Sequence, residues 1–134
     1  MDVLRDSLRD NPGFRRRLQD EYKYIMVDEY QDTNIVQKEI VEYLSERSRN
    51  ILVVGDDSQS IYSFRGANYE NILRFPQKYP DCRVIKIEEN YRSNQKILDC
   101  TSNIILTARI GYKKQLWSKI VYETVPQVRK VYDQ

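Results

Sequence analysis

Two stretches decide the fold: Tyr24-Ile25-Met26-Val27-Asp28-Glu29 and Ile51-Leu52-Val53-Val54-Gly55-Asp56-Asp57, short apolar runs that each give way to carboxylates. Continuous runs of this length, rich in β-branched residues, match strands covered on both faces of a parallel sheet. Between them Val36, Ile40, Val41 and Leu44 recur at helical spacing, and Asn34 with Gln37 has the form of a capping box. Strand, helix, strand predicts a parallel pair joined by a right-handed crossover. Further along, Tyr69 to Arg74 predict a short helix ended by Pro76, and Val84, Ile85 and Ile87 a third strand closing at Glu88-Glu89. Ile97, Leu98, Thr101, Ile104, Ile105 and Ala108 form a helical stripe, and Val128 to Tyr132 a last strand after Pro126. Upstream, residues 1 to 23 read as an exposed helical lead-in broken at Pro12-Gly13, with Arg15-Arg16-Arg17 on a solvated turn. The expectation is an open, mostly parallel α/β sheet.

Composition narrows the chemistry. The 134 residues fall in the range of one domain, or parts of two. With 22 Lys and Arg against 20 Asp and Glu, net charge alone argues for no polyanionic partner, so any nucleic-acid contact must come from local arrangement. Cys82 and Cys100 form no C-x-x-C pair and there is no histidine, which excludes the usual zinc sites and predicts buried reduced thiols. No apolar stretch approaches the roughly twenty residues of a membrane span, so a membrane partner is not expected and the cytoplasm is.

Ligands of open α/β sheets gather at the carboxyl ends of the strands, where Asp28-Glu29 stands. One carboxylate there can hold Mg²⁺ and its neighbour can orient or deprotonate a water, the two requirements of phosphoryl transfer. An Asp-Glu pair alone is more often a solvated loop start; the longer D-E-x-Q-D-T string shifts that balance. Gln59, in the loop after the second run, carries an amide that both donates and accepts and so suits a phosphate sensor better than a base. Tyr62, Phe64 and Arg65 combine aromatic faces with a cation, as single-strand binding requires, although aromatics of this kind pack in cores about as often. In Asn90-Tyr91-Arg92-Ser93 an arginine able to grip phosphate bidentately adjoins a tyrosine able to stack on a base. The plainer reading of that segment is an N-cap, Ser93, beside a surface cation, Arg92.

Taken in order and spacing, V-D-E-Y-Q-D-T-N (27 to 34), V-V-G-D-D-S-Q-S-I-Y-S-F-R-G-A (53 to 67) and E-E-N-Y-R-S (88 to 93) resemble the superfamily 1 DNA helicases of the UvrD/PcrA/Rep type, and the similarity extends to Lys113-Lys114-Gln115-Leu116-Trp117-Ser118. The resemblance implies an ATP-driven motor that translocates 3′ to 5′ along one strand and unwinds the duplex, with ATP held between two RecA-like domains. It implies Asp28 as the magnesium ligand, Glu29 as the catalytic acid-base, Gln59 as the link from γ-phosphate to DNA, Arg92 as the arginine finger and Tyr91 as the adenine stack. Tyr62 and Phe64 then contact single-stranded DNA, and Arg65 joins the same coupling network. Ser58 stands where many members have aspartate.

A phosphate-cradling G-x-x-x-x-G-K-[ST] loop is missing, because Gly13, Gly55, Gly66 and Gly111 are the chain's four glycines and none sits in that pattern. The resemblance therefore implies a partial RecA-like, P-loop NTPase-type parallel sheet lacking the P-loop strand. Residues 1–93 correspond to the end of the first motor domain, and 94–134 to a connecting helix and the start of the second. ATP and Mg²⁺ become cofactors of the intact enzyme, the remainder of the helicase a partner, and the chain alone is expected to be catalytically idle. An unpaired edge beside Tyr24 to Val27 predicts self-association. The alternative from another class is a stand-alone, non-catalytic single-strand-binding or interaction module; a truncated product without activity is a third.

Overall fold

The computed structural model describes residues 1–62, 66, 68, 70–107, 111–122, 125–127 and 129. The chain divides into two compact units, Met1–Cys82 and Arg83–Gln134. In the first, helices α1 (Asp2–Asp10) and α2 (Pro12–Glu21) precede strand β1 (Ile25–Val27), helix α3 (Ile35–Ser45), strand β2 (Ile51–Val53) and helix α4 (Glu70–Lys78). Single 3-10 turns, Tyr30–Asp32 and Asp57–Gln59, follow the two strands. The second unit holds α5 (Gln95–Ile105).

The two apolar runs form the expected parallel pair, in the register Ile25↔Ile51, Met26↔Leu52 and Val27↔Val53, giving an α/β arrangement. The capping box at the start of α3 is also present: Asn34 Oδ1 accepts from the Gln37 amide at 2.9 Å and Gln37 Oε1 from the Asn34 amide at 2.9 Å. Coverage of both sheet faces is not. Val27, Ile51 and Val53 pack on Tyr30, Phe75 and Tyr79 with Ile72 and Cys82, whereas Met26 is 73% and Leu52 53% exposed. Side chains alternate across a strand, so a continuous apolar run fills one face here and leaves the other bare.

The core is aromatic. The Phe75 ring meets Tyr30 edge-on at 5.8 Å and lies tilted against Tyr79 at 4.6 Å. Burial, followed by the fields of Glu42 and Tyr79, pushes the Tyr30 phenol up to about 12, so it stays neutral well beyond neutral pH. This core explains why α4 does not end before Pro76. A mid-helix proline costs about 3 kcal/mol, but Phe75 and Tyr79 flank it and both are buried in the cluster, so packing outweighs the one lost hydrogen bond.

The N-terminal helices are part of the fold and not an exposed lead-in. Leu8 on α1 is 0% exposed, α1 packs on α2 and α3, and Gln19 on α2 donates to the Tyr43 carbonyl at 2.6 Å. The break falls at Asn11, which caps α2 by accepting from Phe14 N at 2.9 Å, while Pro12 takes the first helical position, where its missing N–H costs nothing. Arg15 to Arg17 therefore ride on a helix: Arg15 lies over the Tyr43 ring and Arg17 over Phe14, each at 5.5 Å.

Downstream the expectations diverge further. Residues 84–87 are not a strand; Val84, Ile85 and Ile87 are exposed. Among the described residues only an isolated parallel bridge, Glu89↔Trp117, forms nearby, because a β-run without a neighbour to pair with gains nothing from extension. α5 starts at Asn94, whose side chain accepts from Ile97 N at 3.0 Å, so Asn94 and not Ser93 is the cap. Of its apolar stripe Leu98 is buried while Ile97, Ile104 and Ile105 are exposed. Ala108 and, apart from Arg129, the strand expected at 128–132 lie outside the described residues. Both thiols are free, Cys82 half-buried but Cys100 exposed, contrary to the expectation that both are buried. Among the described residues no helix is long and apolar enough to cross a membrane.

Candidate active site

β1 delivers Asp28 and Glu29 to its carboxyl end, and the backbone turns sharply there. Glu29 takes the left-handed conformation (φ 51°, ψ 43°), which a residue with a Cβ adopts only when its surroundings enforce it. The enforcement is visible in the hydrogen bonds: Tyr30 N returns to the Val54 carbonyl at 2.9 Å, Val54 N to Val27 at 2.8 Å and Asp32 N to Glu29 at 2.9 Å. Asp28 Oδ1 accepts from the Glu29 amide at 2.8 Å.

Gln31, 1% exposed, lies beneath this turn. Its amide nitrogen donates to Glu29 Oε2 at 2.7 Å and Asp32 Oδ2 at 3.3 Å, and its Oε1 accepts from Asp56 N at 3.0 Å. The loop after β2 is thereby tied to the loop after β1. Asp56 in turn accepts from Ser58 N at 3.0 Å and from Gln59 Nε2 at 2.9 Å, and Ser60 Oγ donates to the Gln31 carbonyl at 3.3 Å. Gly55 is dictated by this packing: a Cβ there would fall against Gln31 Oε1, 2.9 Å from Ile72 Cδ1 and 3.1 Å from Tyr30 N. On the other side Asn71, buried on α4, donates to the Thr33 carbonyl at 3.0 Å.

The structure thus brings Glu29 and Gln59 into one hydrogen-bonded chain with Asp28 adjoining. Asp28, Glu29, Asp32 and Thr33 line an open groove of about 390 Å³, with Val27, Ile40 and Val41 supplying apolar lining. Tyr62 is partly exposed past the second turn, and Phe64 and Arg65 lie outside the described residues. Tyr91 and Arg92 belong to the second unit. There Asn90 Oδ1 accepts from Arg92 N at 2.9 Å and Ser93 N at 2.7 Å, leaving the Arg92 side chain exposed. Tyr91 OH donates to Glu89 Oε2 at 2.7 Å, Lys119 Nζ stands 3.0 Å from Glu89 Oε1, and Lys119 lies over the Trp117 ring at 5.2 Å. The bond from Tyr91, then that from Lys119, holds the Glu89 carboxyl below the usual range, and the same bond raises the Tyr91 phenol.

Sequence reasoning gave no role to Gln31, Gly55 or Asp56. The one available signal was a glutamine inside the D-E-x-Q-D-T string, but nothing local marks a glutamine as buried.

Residues 2–80 match the family model of the UvrD/REP helicase N-terminal domain. This chain belongs to that family. It is 45% identical over 114 residues to the ATP-dependent DNA helicase PcrA of Leuconostoc citreum, covering 85% of this chain and 15% of the relative. To the ATP-dependent DNA helicase Rep of Escherichia coli K12 it is 43% identical over 115 residues, 86% of this chain and 17% of the relative. To the DNA helicase II of Rickettsia typhi it is 46% identical over 108 residues, 81% and 16% respectively. The UvrD/REP chain described here therefore spans less than a fifth of each of these relatives.

The helicase resemblance implies a magnesium ion at this site. Among the described residues no three acidic, cysteine or histidine side chains converge as a protein cage. Mg²⁺ rarely uses one; it keeps several waters and takes one or two carboxylates plus phosphate oxygens. Asp28 on the groove, with Asp32 Oδ1 enclosed nearby and lacking a hydrogen-bond partner among the described residues, fits that mode.

Proposed function

We propose that this chain is part of the motor of an ATP-dependent DNA helicase, in which ATP hydrolysis drives 3′ to 5′ movement along single-stranded DNA. The observation that carries the reading is the backbone of Glu29, held left-handed at the end of β1 with its carboxylate fixed by Gln31 on the same groove as Asp28. A carboxylate held in this way is ready to orient and deprotonate a water without first reorganising. Asp28 would hold Mg²⁺, which when bound screens the charge of the transferring phosphoryl group. Gln59, on the loop tied to Glu29, would report the γ-phosphate. Arg92 would supply a bidentate cation to phosphate and Tyr91 a stacking face for the base. Tyr62, Phe64 and Arg65 would contact the single strand.

In this reading the sheet is part of a RecA-like domain. Residues 1–93 close the first motor domain, 94–134 open the second, and the remainder of the helicase and DNA are the partners, in the cytoplasm. Without a phosphate-cradling loop and its lysine, the 134 residues do not turn over ATP by themselves. Phosphate release by the purified chain, with and without an oligothymidylate strand, tests this directly: turnover by the chain alone would sink it. In a longer polypeptide carrying the missing loop, Glu29→Gln is expected to lower kcat about a hundred-fold or more, with KM for ATP little changed. Unaltered kcat would remove Glu29 from the chemistry. The β1 edge opposite β2 has no strand partner among the described residues, so self-association is expected at high concentration; a strictly monomeric sedimentation profile would count against it.

A further inference from the structure

Gln31 has the geometry of a connector. A primary amide offers two donors and one carbonyl acceptor, and here both ends are committed to different loops. The donors face Glu29 and Asp32, and the acceptor faces the backbone N–H of Asp56. The reversed orientation is chemically excluded, since a carbonyl cannot donate to carboxylates and an NH₂ group does not accept from a backbone N–H. At 1% exposure there is no water to which these groups can switch, so breaking either end leaves a buried polar group unpaired. Gly55 adds an independent sign that the site is built around this side chain, because a Cβ at that position would occupy the space of Gln31 Oε1.

We propose that Gln31 is a positioning residue that couples the Glu29 carboxylate to the Asp56–Gln59 loop, so that displacement at one is felt at the other. The catalytic meaning of this link rests on the reading of Glu29 as the hydrolytic base and Gln59 as the phosphate reporter. The link itself does not, and it is measurable without nucleotide.

The experiment is amide exchange and chemical-shift mapping by NMR on the ¹⁵N-labelled chain. Gln31→Met, similar in length but unable to hydrogen-bond, is expected to speed exchange at the Asp56 amide by about ten-fold, the effect of one lost hydrogen bond. Tyr30 N, which bonds the Val54 carbonyl, serves as the internal record that the fold is intact. Gln31→Glu keeps an acceptor for Asp56 N–H and turns a carboxylate, in place of the donors, toward Glu29 and Asp32. Glu29→Ala should shift the Asp56 backbone amide and the Gln59 backbone and side-chain amide resonances in the otherwise unchanged chain, and leave them in place in the Gln31→Met background. Equal shifts in both backgrounds, or none in either, overturn the proposal. If Gln31→Met does not fold, the Glu29→Ala shifts in the otherwise unchanged chain decide alone. Should Glu29→Gln leave hydrolysis intact in the longer polypeptide, the base assignment fails while the coupling stands or falls on the NMR result.

Discussion

The loops at residues 28–34 and 55–60 and the segment at 88–94 carry similar polar residues after apolar runs, yet they are held in opposite ways. The first two are fixed from below, by a buried amide, a glycine with no room for a side chain and an aromatic core. The third is held from the side, by Asn90 and by the Glu89–Tyr91–Lys119 contacts, with Tyr91 and Arg92 facing outward. In the second unit Leu98 is the buried apolar side chain among the described residues, while Ile87, Trp117 and several others are exposed. The difference teaches that side chains held in a fixed mutual geometry are seated on a core, whereas Tyr91 and Arg92 are carried on an exposed platform that fixes their backbone and leaves their side chains outside.

The largest effect should come from breaking the better-packed side. Phe75→Ala removes both aromatic contacts of the core and is expected to cost about 3–5 kcal/mol in urea unfolding, whereas Ile87→Ala in the second unit should stay within about 0.5 kcal/mol. Comparable losses would erase the contrast. Gly55→Ala should cost about 1–3 kcal/mol by overpacking against Gln31, Ile72 and Tyr30, read by the same denaturation. A neutral result would mean that the two loops are not locked together.

Helix caps offer a finer comparison. Asn34→Ala and Asn94→Ala each remove one N-cap acceptor and should each cost about 1 kcal/mol, visible as lost helical circular dichroism on heating. A loss confined to Asn34→Ala would show that α5 owes nothing to its cap. The smallest effect concerns protons. The Glu89 carboxyl is depressed below its ordinary 4.5, so its contribution is complete above that value and is lost as pH falls through the lower folded value. Tyr91 is raised above 10.0, so its contribution is complete below pH 10 and fades as pH rises through the folded value. In ¹³C-tyrosine NMR, Glu89→Ala should bring the Tyr91 titration down toward 10; an unmoved midpoint would break the pairing.

How much of this was legible follows from the range of the interactions. Asn34 and Gln37 announce their capping box because both partners lie within one turn, and the apolar runs announce β1 and β2 because period and composition are local. Pro76 misleads because its helix-breaking cost is local while its compensation, the burial of Phe75 and Tyr79, is not. Val84, Ile85 and Ile87 mislead in the opposite direction: β-propensity is a statement about fitting a paired, half-buried surface, and no such surface receives them among the described residues. At the site, Asp28 and Glu29 were readable as carboxylates at a strand end and Gln59 as an amide in the loop after the second run. The burial of Gln31 was not, since a glutamine in an acidic string looks the same whether solvated or enclosed.

The sequence by itself determined the β1–α3–β2 unit, the helicase family and the candidate carboxylates, all properties of residue type and spacing. Tertiary structure alone decided that Glu29 is left-handed, that Gly55 must lack a side chain and that Gln31 ties two loops together. Each of these depends on atoms from β1, β2 and α4 meeting at distances of a few ångströms, and no local pattern encodes that meeting.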